Sequence, residues 1–228
     1  IYPIRRLFVP KSGVWLCADA RQIEYRLFAH YSNSPKILNA YKADPLLSYH
    51  KLVHGEVEPF KPGVNYDKAK TLNFALVYGG GKDTVARLLD MPRAESDAFV
   101  AIYHRLFPEV KKLLATAQVL AETRGYVKTL LGRRSRFPDK KFTHKALNAL
   151  IQPCAADCMK LKIVELHKER KNTGYFLRFT VHDEVDGDCP DWQCADKVQQ
   201  ILDQQSLPTR VPLLWELGAG VNWAEAKQ

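Results

Sequence analysis

The 228-residue chain is 46% hydrophobic, enough for one compact unit or two closely packed ones, which excludes a disordered tail. Its 34 Lys plus Arg against 25 Asp plus Glu leave a formal net charge of +9, which suits a polyanionic partner such as nucleic acid. No apolar run reaches the roughly 18 residues needed to cross a bilayer, the opening IYPIRRLFVP lacks a signal peptide's apolar core, and five cysteines without a CxxC pair indicate reduced thiols rather than a disulfide framework or a structural zinc site. The expectation is a soluble cytoplasmic protein, and the first residue, Ile rather than Met, suggests a fragment or a processed product.

In chain order, GVWLCADARQIEYRLFAHYS starts as a buried strand that delivers Asp19 to its end. It then changes to a helical spacing with Ile23, Leu27 and His30 or Tyr31 on one face. Residues 35–55 read as helical, and the prolines and glycine of EPFKPG interrupt them. Asn65 is a candidate N-cap for a helix over 65–79, stopped by three consecutive glycines. Helices follow over 93–125, broken near Pro108, and over 144–174, where Pro153 marks a kink or a start. Between them YVKTLLGRRSRFPD resembles a short hairpin. The final third changes period: YFLRFTVHDEVDGDCP, within a hairpin over 175–189, reads as strand, tight turn, strand, and PLLWELGAGVNW reads as a last strand.

A turn at His182, Asp183 and Glu184 would hold two acids at one end of a sheet, and Asp19 would join them if its strand were a neighbour. Two carboxylates from separate strands can bind a pair of divalent ions about 3.5 to 4 Å apart, the arrangement used in phosphoryl transfer. Hard oxygen ligands favour Mg2+. The alternative is that the acids cap a turn and Asp19 caps a helix. On the helix at KTLNFALVYGGG, Lys70, Phe74 and Tyr78 recur every four residues, giving one stripe roughly 12 Å long. A cation in line with two aromatics suits a nucleotide, which needs charge for its phosphates and a flat apolar surface for its sugar and base. Core packing under a snorkelling Lys would produce the same stripe.

DARQIEYRLFAH, KTLNFALVYGG and VHDE resemble motifs A, B and C of the family A DNA polymerases, the bacterial DNA polymerase I and phage replicase family. GYVKTLLGRRSRFPD, NALIQPCAADCMKLKIVEL and WELGAGVNWAEAK are similar to further family segments, so the resemblance covers nearly the whole chain. It implies an α+β fold: an antiparallel palm sheet flanked by helices, with an inserted, mainly helical fingers domain and no thumb. The palm would comprise 1–40 and 141–228, and the fingers 41–140. The implied activity is template-directed addition of deoxynucleotides (dNTPs) to a primer 3′-hydroxyl on primer-template DNA, with two Mg2+ ions for which Mn2+ can substitute. A nucleic-acid-binding subunit with little catalysis and a metal-dependent nuclease are the alternatives.

The resemblance also implies residue roles. Asp19 and Asp183 would bind the metals, with the Ala20 carbonyl as a further ligand and Glu184 more peripheral. Lys70 would contact the triphosphate and protonate the departing pyrophosphate, with Gln22, Ile23 and His50 also at the nucleotide. Phe74 would lie on the sugar and base, and Glu24, meeting Tyr78, would block a 2′-hydroxyl. Tyr78 and Gly79 would receive the template base, His182, Asn148 and Gln152 would sit near the primer terminus and minor groove, and Arg133 and Arg134 would contact phosphates. The departures are Tyr66 where the family commonly has Arg, Arg21 for a small polar residue, Ala75 for Gly, Pro153-Cys154 for Gly-Thr, and His144 for Arg. Nothing before motif A resembles a thumb, so the expected partner is that missing polymerase portion, on the same parent chain or a separate one.

Overall fold

In the computed structural model, which describes residues 3–60, 62–63, 65–78 and 80–227, the apolar run before Asp19 is strand β1, Val14–Ala20, followed by helix α1, Ile23–Ser32. The expected helix over 35–55 is two helices, α2 (Pro35–Ala43) and α3 (Tyr49–Val57). Pro45 has no N–H to continue α2, and the Asp44 carboxylate accepts the Leu46 N–H at 2.9 Å, turning the chain there. Helix α4 is Tyr66–Val77, shorter than the predicted 65–79 because both ends are caps. The Asn65 side chain accepts the Lys68 N–H at 2.9 Å, and Gly80 N–H closes the other end on the Ala75 carbonyl at 2.6 Å.

Helix α5, Lys82–Leu88, was not read from the sequence. Helices α6 (Arg93–Leu106) and α7 (Pro108–Arg124) break at Pro108 as expected, and Gly125, at φ 74°, ends α7. A hairpin of β2 (Tyr126–Lys128) and β3 (Arg134–Arg136) follows. Helix α8, Asn148–Lys168, starts five residues before Pro153 and runs through it. After the short α9 (Arg170–Thr173), strands β4 (Phe176–Val181) and β5 (Glu184–Cys189) form the expected tight hairpin. A helix the sequence reading did not identify, α10 (Trp192–Asp203), is capped by Asp191, whose carboxylate accepts the Cys194 N–H at 2.8 Å. The chain closes with β6 (Trp215–Gly220) and α11 (Trp223–Ala226). This is an α+β fold.

Two compact units divide the chain, Ile1–Ile23 with Ala155–Gln228 and Glu24–Cys154. These bounds follow packing, whereas the division at 40/41 and 140/141 follows motifs. The first unit holds an antiparallel sheet in the order β4-β5-β1-β6. Its register pairs Trp15 with Asp188, Cys17 with Asp186 and Asp19 with Glu184, so these six residues share one face. That face is covered by an aromatic box in which Phe8, Trp15, Phe179 and Trp223 have ring centroids 5.1 to 6.3 Å apart. Helix α11 approaches β6 so closely that a Cβ on Gly218 would collide with the Ala226 carbonyl. In the second unit Tyr49 and Tyr103 join hydroxyls at 2.9 Å, and the buried Arg26 donates to the Pro45 carbonyl at 2.7 Å.

Lys162 of α8 is only 2% exposed. Its ammonium donates to Glu165 Oε2, the Ile201 and Gln204 carbonyls and Ser206 Oγ at 2.6 to 3.0 Å, so it caps the carbonyl end of α10. Removing it leaves buried acceptors without a donor. Lys162→Met should therefore lower unfolding stability by about 3 kcal/mol, measured by urea denaturation; a change below about 1 kcal/mol would show that the cap is dispensable.

Candidate active site

The first unit brings together the acids singled out in the sequence. Ala20 N–H donates to the Asp183 carbonyl at 2.9 Å, which joins the end of β1 to the β4–β5 turn. Burial, and then the charge of Asp19, raise the Asp183 carboxyl above the usual carboxylate range. Two backbone outliers flank this point: Gln22, at φ 49°, follows β1, and His182, at φ 55°, forms the hairpin turn. Left-handed non-glycine residues are uncommon and cluster at functional sites. The His182 side chain is exposed but near enough for its charge to act on Asp183, and Ala20 and Ile23 are buried.

Glu184 is 3% exposed and has both carboxylate oxygens engaged. Trp223 Nε1 donates to Oε1 at 2.8 Å and Lys227 Nζ donates to Oε2. The same Lys227 ammonium reaches Asp19 Oδ2 at 2.6 Å, while Asp19 remains 39% exposed. Two residues along β5, Asp186 is fully buried. It accepts Trp15 Nε1 on Oδ1 at 3.0 Å, and its Oδ2 has no hydrogen-bond partner among the described residues. Desolvation raises its carboxyl to about 6 and raises the adjacent Cys17 thiol to about 12. Cys17, Glu184 and Asp186 place their ligand atoms within 4.8 Å of one another. Asp188 is held by Arg178, whose Nε donates to Oδ2 at 3.1 Å. The sequence reading missed Trp15, Cys17, Asp186, Trp223 and Lys227. The alternation of acids at 184, 186 and 188 was the available signal that all three share a face.

In the second unit α4 presents Lys70 and Phe74 on its exposed face, while Ala69, Leu72, Asn73 and Leu76 of the same helix are buried. Tyr78, the C-cap, stacks on Phe74 at 5.9 Å and 27°. His50 is 3% exposed. Its Nδ1 meets Asn73 Nδ2 at 3.1 Å, and its ring lies 4.5 Å from Tyr25 and 5.6 Å from Phe74. Desolvation, and then the Lys70 charge, lower it to about 4, so it is a neutral imidazole. Tyr66 extends this group, with its ring 6.2 Å from His50 and its hydroxyl 3.5 Å from Ser48 Oγ. Tyr25, Tyr49 and Asn73 were not anticipated as supports for Phe74. Glu24 stands half-buried in the first turn of α1, and Gln22 lies in the turn before it.

Arg133 and Arg134 are exposed at the β2–β3 hairpin, and the Arg134 guanidinium lies 4.8 Å from the Tyr126 ring centroid. Asn148 opens α8, and Gln152 follows one turn later with its side chain exposed. The Asn148 Oδ1 is buried without a partner among the described residues. Gly79 lies outside the described residues. Among the described residues no helix is long and apolar enough to cross a membrane.

Residues 2–225 match the family described as DNA polymerase family A. The chain is 31% identical to a thermostable DNA polymerase I of Thermus filiformis, over 99% of this chain and 29% of that protein. It is 33% identical to DNA polymerase DpoZ of Vibrio phage phiVC8, over 98% of this chain and 39% of that protein. The fold is similar to that of the POL domain of Pol1 from M. smegmatis, solved in complex with DNA primer-template and dNTP. That likeness has a TM-score of 0.88 and 26% identity, and covers 99% of this chain and 43% of the other. The chain thus spans less than half the length of these relatives.

The buried face has a measurable pH signature. Asp186 has a folded-state pKa of about 6, above its ordinary 3.8, so the folded protein binds its proton more tightly than the unfolded chain does. That contribution to stability is complete below about pH 4 and is lost as pH rises through 6. Asp186→Asn should therefore stabilise the metal-free protein at pH 7, by on the order of 2 kcal/mol, and leave it nearly unchanged at pH 4. Urea unfolding at the two pH values measures this, and destabilisation at pH 7 would show that the charged carboxylate is required.

Proposed function

This chain belongs to DNA polymerase family A, and from that membership we propose that it is the palm and fingers of an enzyme that adds deoxynucleotides to a primer 3′-hydroxyl, copying a DNA template. The palm would be 1–40 with 141–228, and the fingers 41–140. The observation that carries the reading is the meeting of Asp19 and Asp183 at one end of the sheet, where burial and the neighbouring Asp19 charge penalise the charged form of Asp183. A hard divalent cation relieves that penalty, and the oxygen donor set fits Mg2+, with Mn2+ able to substitute. Asp19, Asp183 and the Ala20 carbonyl would hold two such ions, with Glu184 at their edge. Bound ions would supply activation of the 3′-hydroxyl and neutralisation of the triphosphate.

The rest falls to side chains. Lys70, exposed on α4, would contact the incoming triphosphate and give a proton to the departing pyrophosphate. Phe74, braced by Tyr25, His50 and Tyr78, would lie against the sugar and base of the dNTP. Its lack of a hydroxyl would disfavour 3′-deoxy terminators. Glu24 would meet Tyr78 and exclude a 2′-hydroxyl, and Gln22 and Ile23 would border the same nucleotide. His50, being neutral, would act at the triphosphate as an N–H donor rather than a cation. Tyr78 and Gly79 would receive the template base, Arg133 and Arg134 would grip phosphates, and Asn148, Gln152 and His182 would approach the primer terminus. With Tyr66 in place of the usual Arg, the α4 N-terminus would supply part of the lost attraction for phosphate.

Primer extension with Mg2+ and four dNTPs tests the reading, using the purified chain alone and supplemented with a thumb-bearing polymerase segment. Extension in either sample that Asp183→Ala abolishes supports it; a labelled primer that never lengthens in either sample overturns it. With Tyr66 leaving Lys70 to carry more of the triphosphate charge, Lys70→Ala should reduce kcat/KM for dNTP by roughly 100- to 1,000-fold, and a loss below tenfold would sink that assignment.

A further inference from the structure

Lys227 presents its ammonium to Asp19 Oδ2 and Glu184 Oε2 at once, so a cation belonging to the chain itself stands between two of the proposed metal-site carboxylates. Its position is determined by the fold. Helix α11 is seated on β6 because Gly218 has no Cβ to separate them. The same helix is fastened to the acid face by the Trp223 indole, which donates to the other oxygen of Glu184 at 2.8 Å and lies under the Arg5 guanidinium at 4.6 Å. The Lys227 N–H returns to the Trp223 carbonyl at 3.1 Å, which sets the base of the side chain. Beyond that base the side chain is 31% exposed, so the ammonium has a path to water that Glu184, at 3%, lacks.

An ammonium and a divalent ion seek the same oxygen lone pairs, and they repel each other at contact distance. On the reading that Asp19 holds the metals, we propose that Lys227 is a tethered counter-cation. It neutralises Asp19 and Glu184 while no divalent ion is bound, and a divalent ion displaces it from Asp19. The ion then trades one existing charge pair for another, which weakens metal affinity and spares the metal-free sheet an uncompensated pair of acids.

Mn2+ binding to the full chain, followed by the loss of the free-ion electron paramagnetic resonance signal, tests this without any activity assay. Lys227→Gln should bind Mn2+ about tenfold more tightly than the wild type. Its melting temperature in EDTA should fall below that of the wild type and recover when Mn2+ is added. Lys227→Arg, which keeps the charge, should keep wild-type affinity and stability. Equal or weaker Mn2+ binding by Lys227→Gln, with Asp19→Asn still abolishing binding, overturns the inference and leaves the metal site standing. Mn2+ binding that Asp19→Asn does not alter in either background overturns the metal site itself, and the inference with it.

Discussion

Glu184, Asp186 and Asp188 alternate along a single strand, and all three are buried. Each carboxylate withdrawn from water costs several kcal/mol unless a charge or a donor meets it, and much of the first unit is arranged to meet these three. Indole N–H groups from Trp15 and Trp223 reach Asp186 and Glu184, Arg178 holds Asp188, and Lys227 reaches across to Asp19. The aromatic box formed by Phe8, Trp15, Phe179 and Trp223 therefore excludes water from the face and also orients two of the donors that make its acids tolerable. What these groups leave incompletely neutralised is Asp183, beside Asp19 at the end of the sheet, which suits that end to exogenous cations.

The second unit solves a different problem with different chemistry. Its α4 buries Asn73 and exposes Phe74, so one residue of offset decides which becomes structural and which becomes available. Asn73 holds the His50 ring, which packs against Phe74, and Tyr25 braces both. The exposed aromatic thus has limited freedom to change rotamer, and a surface fixed before a ligand arrives loses less entropy on binding. The same desolvation that rigidifies His50 also removes its positive charge, which leaves Lys70 as the cation of the stripe.

Much of this was legible in the chain. The Asn65 cap, the break at Pro108, the 126–136 hairpin and the tight turn at His182 are local, because caps, proline and turn residues act on backbone groups a few positions away. The stripe of Lys70, Phe74 and Tyr78 was equally legible, because helical periodicity alone aligns residues four apart. The reading failed where local signals were weak: α5 is short and follows three glycines, and Pro45 divided a helix whose apolar pattern ran on past it.

The pairing of strands could not be read from any one segment. Whether Asp19 stands beside Asp183 depends on β1 lying next to β5 in a register that sets Asp19 against Glu184, residues separated by most of the chain. The same register turned Cys17 and Asp186 inward, and the close seat of α11 on Gly218 carried Lys227 back to an acid over two hundred positions earlier. The sequence by itself determined which residue types were on hand, the family they announce and the local elements that carry them. Only the tertiary structure decided which charges are buried and what neutralises them, because burial and strand register are properties of contacts that distant segments make with each other.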